Sequence, residues 1–390
     1  MAVRSQLHTW KLTNQRVFLR ADLNVPLNKG AILNDFKLTA ELPTLDLLLK
    51  QNAAVILATH LGRPQGFDPA LSTKPIAAWL TARGYRVTHV PFVPDNPCAQ
   101  VAPQPGEITL LENLRFYAGE KNNDPLFAEQ LAAVADYYVH DAFALMHRHD
   151  TSVALLPSLF APDHRTVGLL VEREVAALAK LVFAPEKPFV LIVGGGKVAD
   201  KLPLLAGMLD RVTHILLCPA LVFTFLKAQG TAVGKSLVDD NQLEAVTKFM
   251  ANARQRNVEL IFPLDYQVAS KSFDGPLSLV SADQFPADGV GMSIGPQTAA
   301  LFAPVIHQAK TVFFNGLPGV AARPGTLTGA QAIFNAMTHS KGYTVIGGGD
   351  SVAAAEQLID TTKISYCSTG GGATLTYLAE KDLPGLKLFV

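Results

Sequence analysis

Three glycine triplets in the second half of the chain have the composition of phosphate-binding turns. They occupy residues 194–196, 347–349 and 370–372, and Lys197 and Asp350 directly follow the first two. Glycine lets backbone amides come close to a phosphate, and a helix N-terminus presents unpaired N–H groups at the positive end of its dipole. A single triplet is explained equally well as a tight turn between a strand and a helix. Three of them, with a lysine and an aspartate adjoining, favour a site for nucleotide phosphates.

Neither of two common glycine motifs for nucleotides fits this chain. Residues 234–236 read Gly-Lys-Ser, like the end of a P-loop, but the first glycine of that motif would have to stand where the chain has Gln229. A dinucleotide fingerprint that begins at Gly347 requires a glycine where the chain has Val352. These mismatches disfavour P-loop enzymes and Rossmann dehydrogenases.

Arginine and histidine side chains in the first half stand at predicted strand ends or in loops. They are His60, Arg63, Arg115, His147, Arg148 and His149. A planar guanidinium group grips a phosphate or a carboxylate with two parallel hydrogen bonds, so these residues could hold an anion. For any single arginine, a solvated surface charge is the favoured explanation. A metal site at 147–149 is disfavoured because no cysteine or carboxylate pair lies at ligand spacing, and Asp141 is interpreted as a helix cap in preference to a base.

Short apolar runs alternate with longer amphipathic stretches along the chain. Continuous apolar strands separated by helices indicate parallel sheets covered on both faces, so we expect a doubly wound α/β fold. The predicted strands are 17–20, 55–59, 108–111, 137–140, 189–193, 214–217, 258–262, 311–314, 344–346 and 364–366. The predicted helices are 38–50, 76–83, 198–209, 299–309 and 352–359, and a further helix at 171–183 divides the chain between two series of strands.

Composition excludes several classes of protein. Of the 390 residues, 49% are apolar, which is enough for two buried cores and rules out a mainly disordered chain. The 33 basic side chains equal the 33 acidic ones, so no overall charge attracts nucleic acid or an acidic membrane surface. The three cysteines lie far apart, which suits a reducing cytoplasm. We expect no nucleic-acid partner, no membrane span and no signal peptide.

Several motifs together resemble those of the phosphoglycerate kinase family. In the first half they are the segments 20–26 (RADLNVP), 59–64 (THLGRP) and 111–116 (LENLRF). In the second half they are 193–202 (VGGGKVADKL), 347–351 and 368–372. They follow the family's order from residue 16 to the C-terminus, so the resemblance covers nearly the whole chain.

The resemblance implies a kinase made of two doubly wound, Rossmann-like lobes joined by a hinge helix. Residues 1–170 would bind the triose phosphate, 171–185 would form the hinge helix, and 186–377 would bind the nucleotide, with a tail at 378–390 returning to the first lobe. The implied reaction is reversible phosphoryl transfer between 1,3-bisphosphoglycerate and MgADP, which gives 3-phosphoglycerate and MgATP in glycolysis and gluconeogenesis. The implied cofactor is Mg²⁺, with ATP or ADP as co-substrate. The chain would act as a cytoplasmic monomer whose lobes close to keep water from the acyl phosphate.

The resemblance also implies roles for individual residues. The triose would be held by Asp22, Asn24, Lys37, His60, Leu61, Gly62, Arg63, Arg115 and Arg148. The nucleotide would be held by Gly194, Gly195, Lys197, Lys201, Asn315, Gly348, Gly349, Asp350 and Ser351, and Asp350 would also govern the magnesium ion. The groups expected to act on the migrating phosphoryl are Lys37, Lys201 and the backbone N–H groups of Gly370, Gly371 and Gly372. No general base is expected, because a carboxylate or a nucleotide phosphate is already ionised near neutral pH.

The chain departs from the family pattern at four places. Lys37 stands where the family has a catalytic arginine, which keeps the charge but loses the planar fork. Residues 218–220 (Cys-Pro-Ala) replace three glycines under the nucleotide base, and Ala322 replaces an acidic residue that holds the ribose. The stretch 317–319 (Leu-Pro-Gly) is shifted from the family pattern. We therefore expect weakened but real activity, and a site that grips phosphates normally but reads the nucleoside loosely.

Two other functions compete with an active kinase. The first is a binding or regulatory paralogue that kept the triose site and lost efficient transfer, which Lys37 and Ala322 favour and the retained Lys201 and Asp350 disfavour. The second is a nicotinamide oxidoreductase, which the missing dinucleotide fingerprint disfavours.

Overall fold

The chain folds into two compact units, and the computed structural model describes residues 3–389. One unit comprises Met1–Ala176 with Asp382–Val390, and the other comprises Ala177–Lys381. Each unit contains one six-stranded sheet with parallel pairing throughout. The expectation of two parallel-sheet lobes is therefore confirmed. The boundary between the units falls inside the helix Leu169–Val182, whose role as a hinge stays a prediction.

In the first unit, the parallel sheet has the strand order β5-β6-β4-β1-β7-β8. Its strands are β1 (Arg16–Ala21), β4 (Ala54–Ala58), β5 (Val87–His89), β6 (Ile108–Leu110), β7 (Tyr137–Asp141) and β8 (Arg165–Val167), and the short pair β2 (Leu27–Asn28) and β3 (Ala31–Ile32) forms an antiparallel hairpin. The helices are α1 (Phe36–Lys50), α2 (Lys74–Thr81), α3 (Ala118–Lys121), α4 (Pro125–Ala132), α5 (Thr151–Ala154) and α6 (Leu169–Val182).

Alternate side chains of the central strands enter two separate hydrophobic clusters. Leu19 and Leu57 belong to one cluster, whereas Phe18 and Ile56 belong to the other. Successive side chains of a strand point to opposite faces of the sheet, so both faces are covered. This burial explains why β4 is a continuous apolar run and why β1 has the apolar residues 17–19 at its centre. It also leaves the polar residues that follow these strands at one edge of the sheet.

The C-terminal residues pack within the first unit. The Gly385 amide donates to the Met146 carbonyl oxygen at 2.8 Å, and the Phe389 ring stacks on Tyr138 and His140 with centroids 6.3 Å and 6.1 Å apart. Residues 382–389 are thus held beside the turn that precedes Arg148.

In the second unit, the parallel sheet has the strand order β11-β10-β9-β15-β16-β17, and a separate antiparallel sheet has the order β13-β12-β14. The strands are β9 (Phe189–Gly195), β10 (His214–Ala220), β11 (Glu259–Ile261), β12 (Asp265–Ala269), β13 (Leu277–Ser281), β14 (Val290–Ile294), β15 (Thr311–Asn315), β16 (Tyr343–Gly347) and β17 (Tyr366–Ser368). The helices are α7 (Val198–Met208), α8 (Leu221–Ala228), α9 (Leu243–Gln255), α10 (Pro296–Gln308), α11 (Thr328–Thr338), α12 (Gly349–Leu358) and α13 (Gly372–Glu380).

One predicted strand is misplaced. The sequence placed the last strand at 364–366, whereas β17 runs over Tyr366–Ser368 and shares only Tyr366 with the prediction. The reason is a short 3₁₀ turn at Thr361–Lys363, which Asp360 caps by accepting a 3.1 Å hydrogen bond from the Thr362 amide. The apolar side chain of Ile364 is buried directly after this turn and is not part of the strand.

Among residues 3–389, no helix is both long enough and apolar enough to cross a membrane.

Candidate functional site

A cluster of charged side chains lies at the carboxyl ends of β1 and β4. Asp22 follows β1, His60 follows β4, and Lys37 lies in the first turn of α1. The Lys37 Nζ atom lies 2.5 Å from Asp22 Oδ2. Burial alone would raise the pKa of Asp22, but the positive charge of Lys37 and its hydrogen bond lower it to about 2. Asp22 is therefore a carboxylate at neutral pH.

His60 is buried and electrically neutral at this edge of the sheet. Burial lowers its pKa well below the ordinary value, and the positive charges of Arg20 and Arg115 lower it further, although Asp22 acts in the opposite direction. Its Nδ1 atom has no hydrogen-bond partner among residues 3–389. A buried polar atom without a partner is costly, so His60 is ready to bind a ligand atom.

Two arginines extend the cluster and also have unused hydrogen-bond donors. Arg115 Nη1 donates to the Gly62 carbonyl oxygen at 2.7 Å, but its Nε and Nη2 atoms are buried and have no hydrogen-bond partner in the described structure. The Nε atom of Arg148 is also buried and has no hydrogen-bond partner among the described residues. Burial lowers the pKa of Arg115, and the like charge of Arg148 lowers it further. An anion would satisfy these donors and relieve this repulsion.

The loop after β4 is fixed in place beside these arginines. The Gly62 amide donates to Asn24 Oδ1 at 2.9 Å, and the buried Leu61 amide donates to Asn113 Oδ1 at 3.1 Å. Gly62 has a φ of +60°, and a Cβ atom there would come within 2.9 Å of the Leu71 side chain, so glycine is required. Arg63 differs from its neighbours because its side chain is exposed. The structure thus gathers all the predicted triose residues except Arg63 around buried donors.

In the second unit, Lys201 lies between the ends of two strands. Its Nζ atom donates to the carbonyl oxygen of Gly194, at the end of β9, and approaches that of Asn315, at the end of β15, at 3.4 Å. Only 7% of Lys201 is exposed, and this burial lowers the pKa of its ammonium group to about 8. An ammonium group has three donors, so one remains for a ligand.

The glycine turns of this unit are connected through side-chain hydrogen bonds. Asn315 Nδ2 donates to the Gly347 carbonyl oxygen at 2.9 Å, and the Gly316 amide donates to Ser351 Oγ at 3.2 Å. Gly348 has a φ of +99°, which a residue with a Cβ atom rarely adopts. These bonds bring the end of β15, the turn after β16 and the first turn of α12 together.

The remaining predicted nucleotide residues lie at helix starts. Lys197 directly precedes α7, and Gly349 and Asp350 open α12; all three residues are exposed. Gly195 has a φ of +80° and lies close to Lys201, because a Cβ atom there would be 3.3 Å from Nζ. Helix N-termini attract anions, so these positions suit phosphate groups.

The third glycine triplet is only partly available to a ligand. Gly371 has a φ of +51° and precedes α13, whose first residue is Gly372. The Gly370 amide, however, already donates to Ser368 Oγ at 3.2 Å, and Gly370 is buried. All three amides can therefore face a phosphoryl group, as expected, only if the Gly370 amide first breaks its bond to Ser368.

Three of the four departures from the family pattern lie in this unit, at residues 218–220, 317–319 and 322. Cys218 is buried at the end of β10, where a Cβ atom on Gly194 would be 2.9 Å from that of Cys218. Ala322 is exposed in the loop that follows Gly316. The next residue, Arg323, fastens this loop to the β12–β13 hairpin by donating to the carbonyl oxygens of Phe273 and Gly275. The loop is therefore held in place without an acid at position 322.

Sequence reasoning missed Asp150, which contacts the arginine cluster. Its Oδ2 atom lies 3.7 Å from Arg115 Nη2 and has no hydrogen-bond partner among the described residues. The available signal was its place two residues after Arg148, before a short helix. That place suggests a helix cap, yet the side chain makes no capping bond. Asp141, in contrast, accepts a 2.9 Å bond from the Val171 amide in the first turn of α6. It therefore caps a helix that lies later in the chain, and the turn that directly follows Asp141 has no side-chain cap.

Comparisons with known proteins agree with this geometry. Residues 7–381 match the family model for phosphoglycerate kinase. A phosphoglycerate kinase of Chlamydia pneumoniae is 40% identical over 96% of this chain and 95% of the relative, and a cytosolic phosphoglycerate kinase of Triticum aestivum is 41% identical with the same coverage. The solved phosphoglycerate kinase of Coxiella burnetii superposes with a TM-score of 0.83 at 35% identity, covering 98% of this chain and 97% of its own. The chain belongs to the phosphoglycerate kinase family.

Proposed function

We propose that the chain catalyses reversible phosphoryl transfer between 1,3-bisphosphoglycerate and MgADP, which gives 3-phosphoglycerate and MgATP in glycolysis and gluconeogenesis. Membership of the family supports this activity. The single structural observation that carries the proposal is the buried cationic cluster around Arg115, whose Nε and Nη2 atoms have no hydrogen-bond partner in the described structure. Such a cluster suits a small ligand with negative groups at both ends.

The first unit would bind the triose. Arg115, Arg148 and Arg63 would hold its phosphate, His60 and Asn24 its polar oxygens, and Asp22 its hydroxyl group. Leu61 and Gly62 would support these residues through the fixed loop. Lys37 would place a positive charge near the reacting carboxylate, where it stabilises the charge that develops in the transition state.

The second unit would bind the nucleotide through backbone amides and lysines. Gly194, Gly195, Lys197, Gly348, Gly349 and Ser351 would surround the phosphates, and Asn315 would hold the turn. Lys201 would direct its remaining N–H toward the transferred group. Gly371 and Gly372 would add amide donors on the same group, and Gly370 would join them once its amide leaves Ser368.

The donor set suits a magnesium ion that arrives with the nucleotide. No group of three or more histidine, cysteine, aspartate or glutamate side chains that could hold a metal occurs within residues 3–389. Mg²⁺ is commonly bound through one or two carboxylates together with substrate phosphates. The exposed Asp350, in the first turn of α12, would supply that carboxylate. The ion would neutralise negative charge on the phosphate oxygens.

Positioning and charge stabilisation account for the chemistry of this reaction. The attacking oxygen belongs to a carboxylate or to a nucleotide phosphate, so no side chain has to remove a proton. We also propose that the lobes close over the ligands and that the protein is a cytoplasmic monomer. The name of the wheat relative, which calls it cytosolic, supports the location.

The alternative of a regulatory paralogue is not favoured. Lys201, Asp350 and the Gly370–Gly372 turn are present, and a protein that only binds its ligands need not keep the groups that act on the transferred phosphoryl. Lys37 keeps a positive charge at the arginine position. A nicotinamide oxidoreductase is disfavoured by the family match.

A coupled assay tests the proposal. ATP and 3-phosphoglycerate are supplied with and without Mg²⁺, and the acyl phosphate is measured by its enzymatic reduction. We expect turnover that depends on Mg²⁺. A folded chain that binds 3-phosphoglycerate in calorimetry, but gives no turnover, would instead support the regulatory paralogue.

A further inference from the structure

Asp150 is a buried acid within a site that is otherwise suited to anions. Nine per cent of the residue is exposed, and it connects the Arg148 turn to α5. Its backbone carbonyl accepts hydrogen bonds from the Val153 and Ala154 amides, each at 2.9 Å. The backbone therefore satisfies the helix start, and the carboxylate is not needed as a cap.

The carboxylate faces Arg115 without bonding to it. The 3.7 Å separation between Asp150 Oδ2 and Arg115 Nη2 exceeds a hydrogen-bond distance, and both atoms are buried without partners in the described part of the chain. The charged and titratable side chains that interact with Asp150 are those of Arg115, His147 and Glu120. An unused donor and an unused acceptor thus stand side by side.

The two forms of a phosphate monoester fit this pair differently. The dianion has only acceptor oxygens, so it satisfies Arg115 but is repelled by the Asp150 carboxylate. The monoanion also carries a P–O–H group, which can donate to Asp150 while another oxygen accepts from Arg115. A site built to accept a hydroxyl hydrogen strongly rejects a ligand that lacks it, because its buried acceptor stays unpaired.

We propose that Asp150 is a specificity-determining residue. Its carboxylate accepts a hydrogen bond from the P–O–H group of the ligand phosphate, so the triose site selects the singly protonated form. This inference rests on the proposed function, which assigns Arg115 to the triose phosphate. The same arrangement discriminates against sulfate, which carries no proton at neutral pH.

The first test uses the unaltered protein. Inorganic phosphate and sulfate are compared at pH 7 for their ability to displace 3-phosphoglycerate in calorimetry. We expect phosphate to displace it at a concentration at least about tenfold lower than sulfate. Equal displacement by the two anions would overturn the inference, and no variant is needed to obtain that result.

The second test replaces the acceptor with a donor. In Asp150→Asn the amide can donate to a fully deprotonated anion, so sulfate should bind as well as phosphate. The Michaelis constant for 3-phosphoglycerate should rise by up to about tenfold per pH unit in the wild type above the second phosphate pKa of about 6, and should stay flat in the variant. The exposed Asp163→Asn is the matched control and should behave like the wild type.

The outcomes separate this inference from the proposed function. If Asp150→Asn lowers the Michaelis constant by the same factor at pH 5.5 and pH 8, Asp150 acts only as a negative charge that weakens anion binding. If the variant raises the Michaelis constant by the same factor at both pH values, Asp150 only holds Arg115 in position. Either result overturns the inference while leaving turnover intact. Absence of turnover in the wild type at every pH would contradict the proposed function itself.

Discussion

The two candidate sites present different parts of the chain to an anion. The site in the first unit consists of polar and charged side chains that are largely buried, such as Asp22, His60 and Arg115. The site in the second unit consists mainly of backbone groups at glycine turns, with Lys201 as its one buried cation among the described candidate residues. Side chains can select a ligand by charge and protonation state, whereas backbone amides bind any phosphate.

This difference shows where each site tolerates sequence change. In the first unit, each buried charge depends on its neighbours, as that of Asp22 does on Lys37. In the second unit, the turns depend on glycine at positions such as Gly316, where φ is +91° and a Cβ atom would lie 2.3 Å from the Gly194 carbonyl oxygen. Replacements at residues 218–220 and 322 leave these turns intact, because none of them contributes a phosphate-binding amide of the three triplets.

The largest expected effect comes from removing the buried cation of the second unit. Lys201→Met keeps the length of the side chain but removes the charge near the transferred group. Loss of one preorganised donor lowers kcat by about 10²–10³, while the Michaelis constant for 3-phosphoglycerate should stay unchanged because that ligand belongs to the first unit. Steady-state kinetics measures both quantities, and the exposed Lys235→Met is the control. A kcat within a few-fold of the wild type would show that backbone amides alone stabilise the transition state.

The next effect concerns pH and the buried acids of the first unit. Glu41, on α1, is fully buried and shares a hydrogen bond with Asp141, which caps α6. Burial raises the pKa of Glu41 well above its ordinary value of 4.5, and the negative charges of Asp141 and Asp22 raise it further, although Arg173 opposes them. The protonated Glu41 thus donates to the Asp141 carboxylate.

Glu41 therefore stabilises the fold below pH 4.5, and this contribution is lost as the pH rises toward its folded pKa. Glu41→Gln keeps a donor but cannot ionise, so its stability relative to the wild type should increase by up to about 1.4 kcal/mol per pH unit in that window. Chemical denaturation from pH 5 to pH 8 measures this difference. The exposed Glu129→Gln is the control, and a constant difference across this range would contradict the prediction.

A smaller effect is expected from restoring an acid on the nucleoside side of the second unit. Ala322→Glu would supply an acceptor for ribose hydroxyls, which should strengthen ADP binding by about 1–3 kcal/mol. Pyrophosphate, which has no ribose, should bind both proteins equally and serves as the matched ligand. In the wild type, calorimetry should give similar affinities for ADP and GDP. A submicromolar affinity for ADP with strong rejection of GDP would contradict the view that the nucleoside is read loosely.

The parallel sheets could be predicted from sequence because their strands are buried on both faces. β4 and β15 are buried at every residue, so each appears as an apolar run. β13 was missed because its residues are mostly exposed, and the three-residue strands β5 and β8 are too short to give a pattern. Helix α9 was missed because it contains few large apolar residues, although its buried side chains Val246, Phe249 and Ala253 recur at helical spacing.

The candidate sites divide in the same way. Motif positions predicted Asp22, His60 and Arg115, because each follows or adjoins a strand of recognisable sequence. Nothing local indicated that Asp150 would face Arg115, or that Glu41 would reach Asp141 a hundred positions later in the chain. Such contacts depend on which elements become neighbours in the folded unit, and a single sequence carries no direct record of that.

The smallest expected effect tests the positive charge that Lys37 supplies in the first unit. The Lys37 ammonium group donates a hydrogen bond to Asp22 at 2.5 Å. The same positive charge would therefore have to stabilise both this carboxylate and the reacting end of the triose. In Lys37→Arg, a planar fork could contact Asp22 with one nitrogen and a ligand oxygen with another, and kcat should rise a few-fold. Lys50→Arg, at the other end of α1, is the control and should leave kcat unchanged. A fall in kcat for Lys37→Arg would mean that the buried carboxylate is adapted to lysine, because the larger guanidinium would then displace Asp22. In that case the side-chain-built site would be the more exacting of the two, and the difference between the units would extend from ligand choice to the catalytic step.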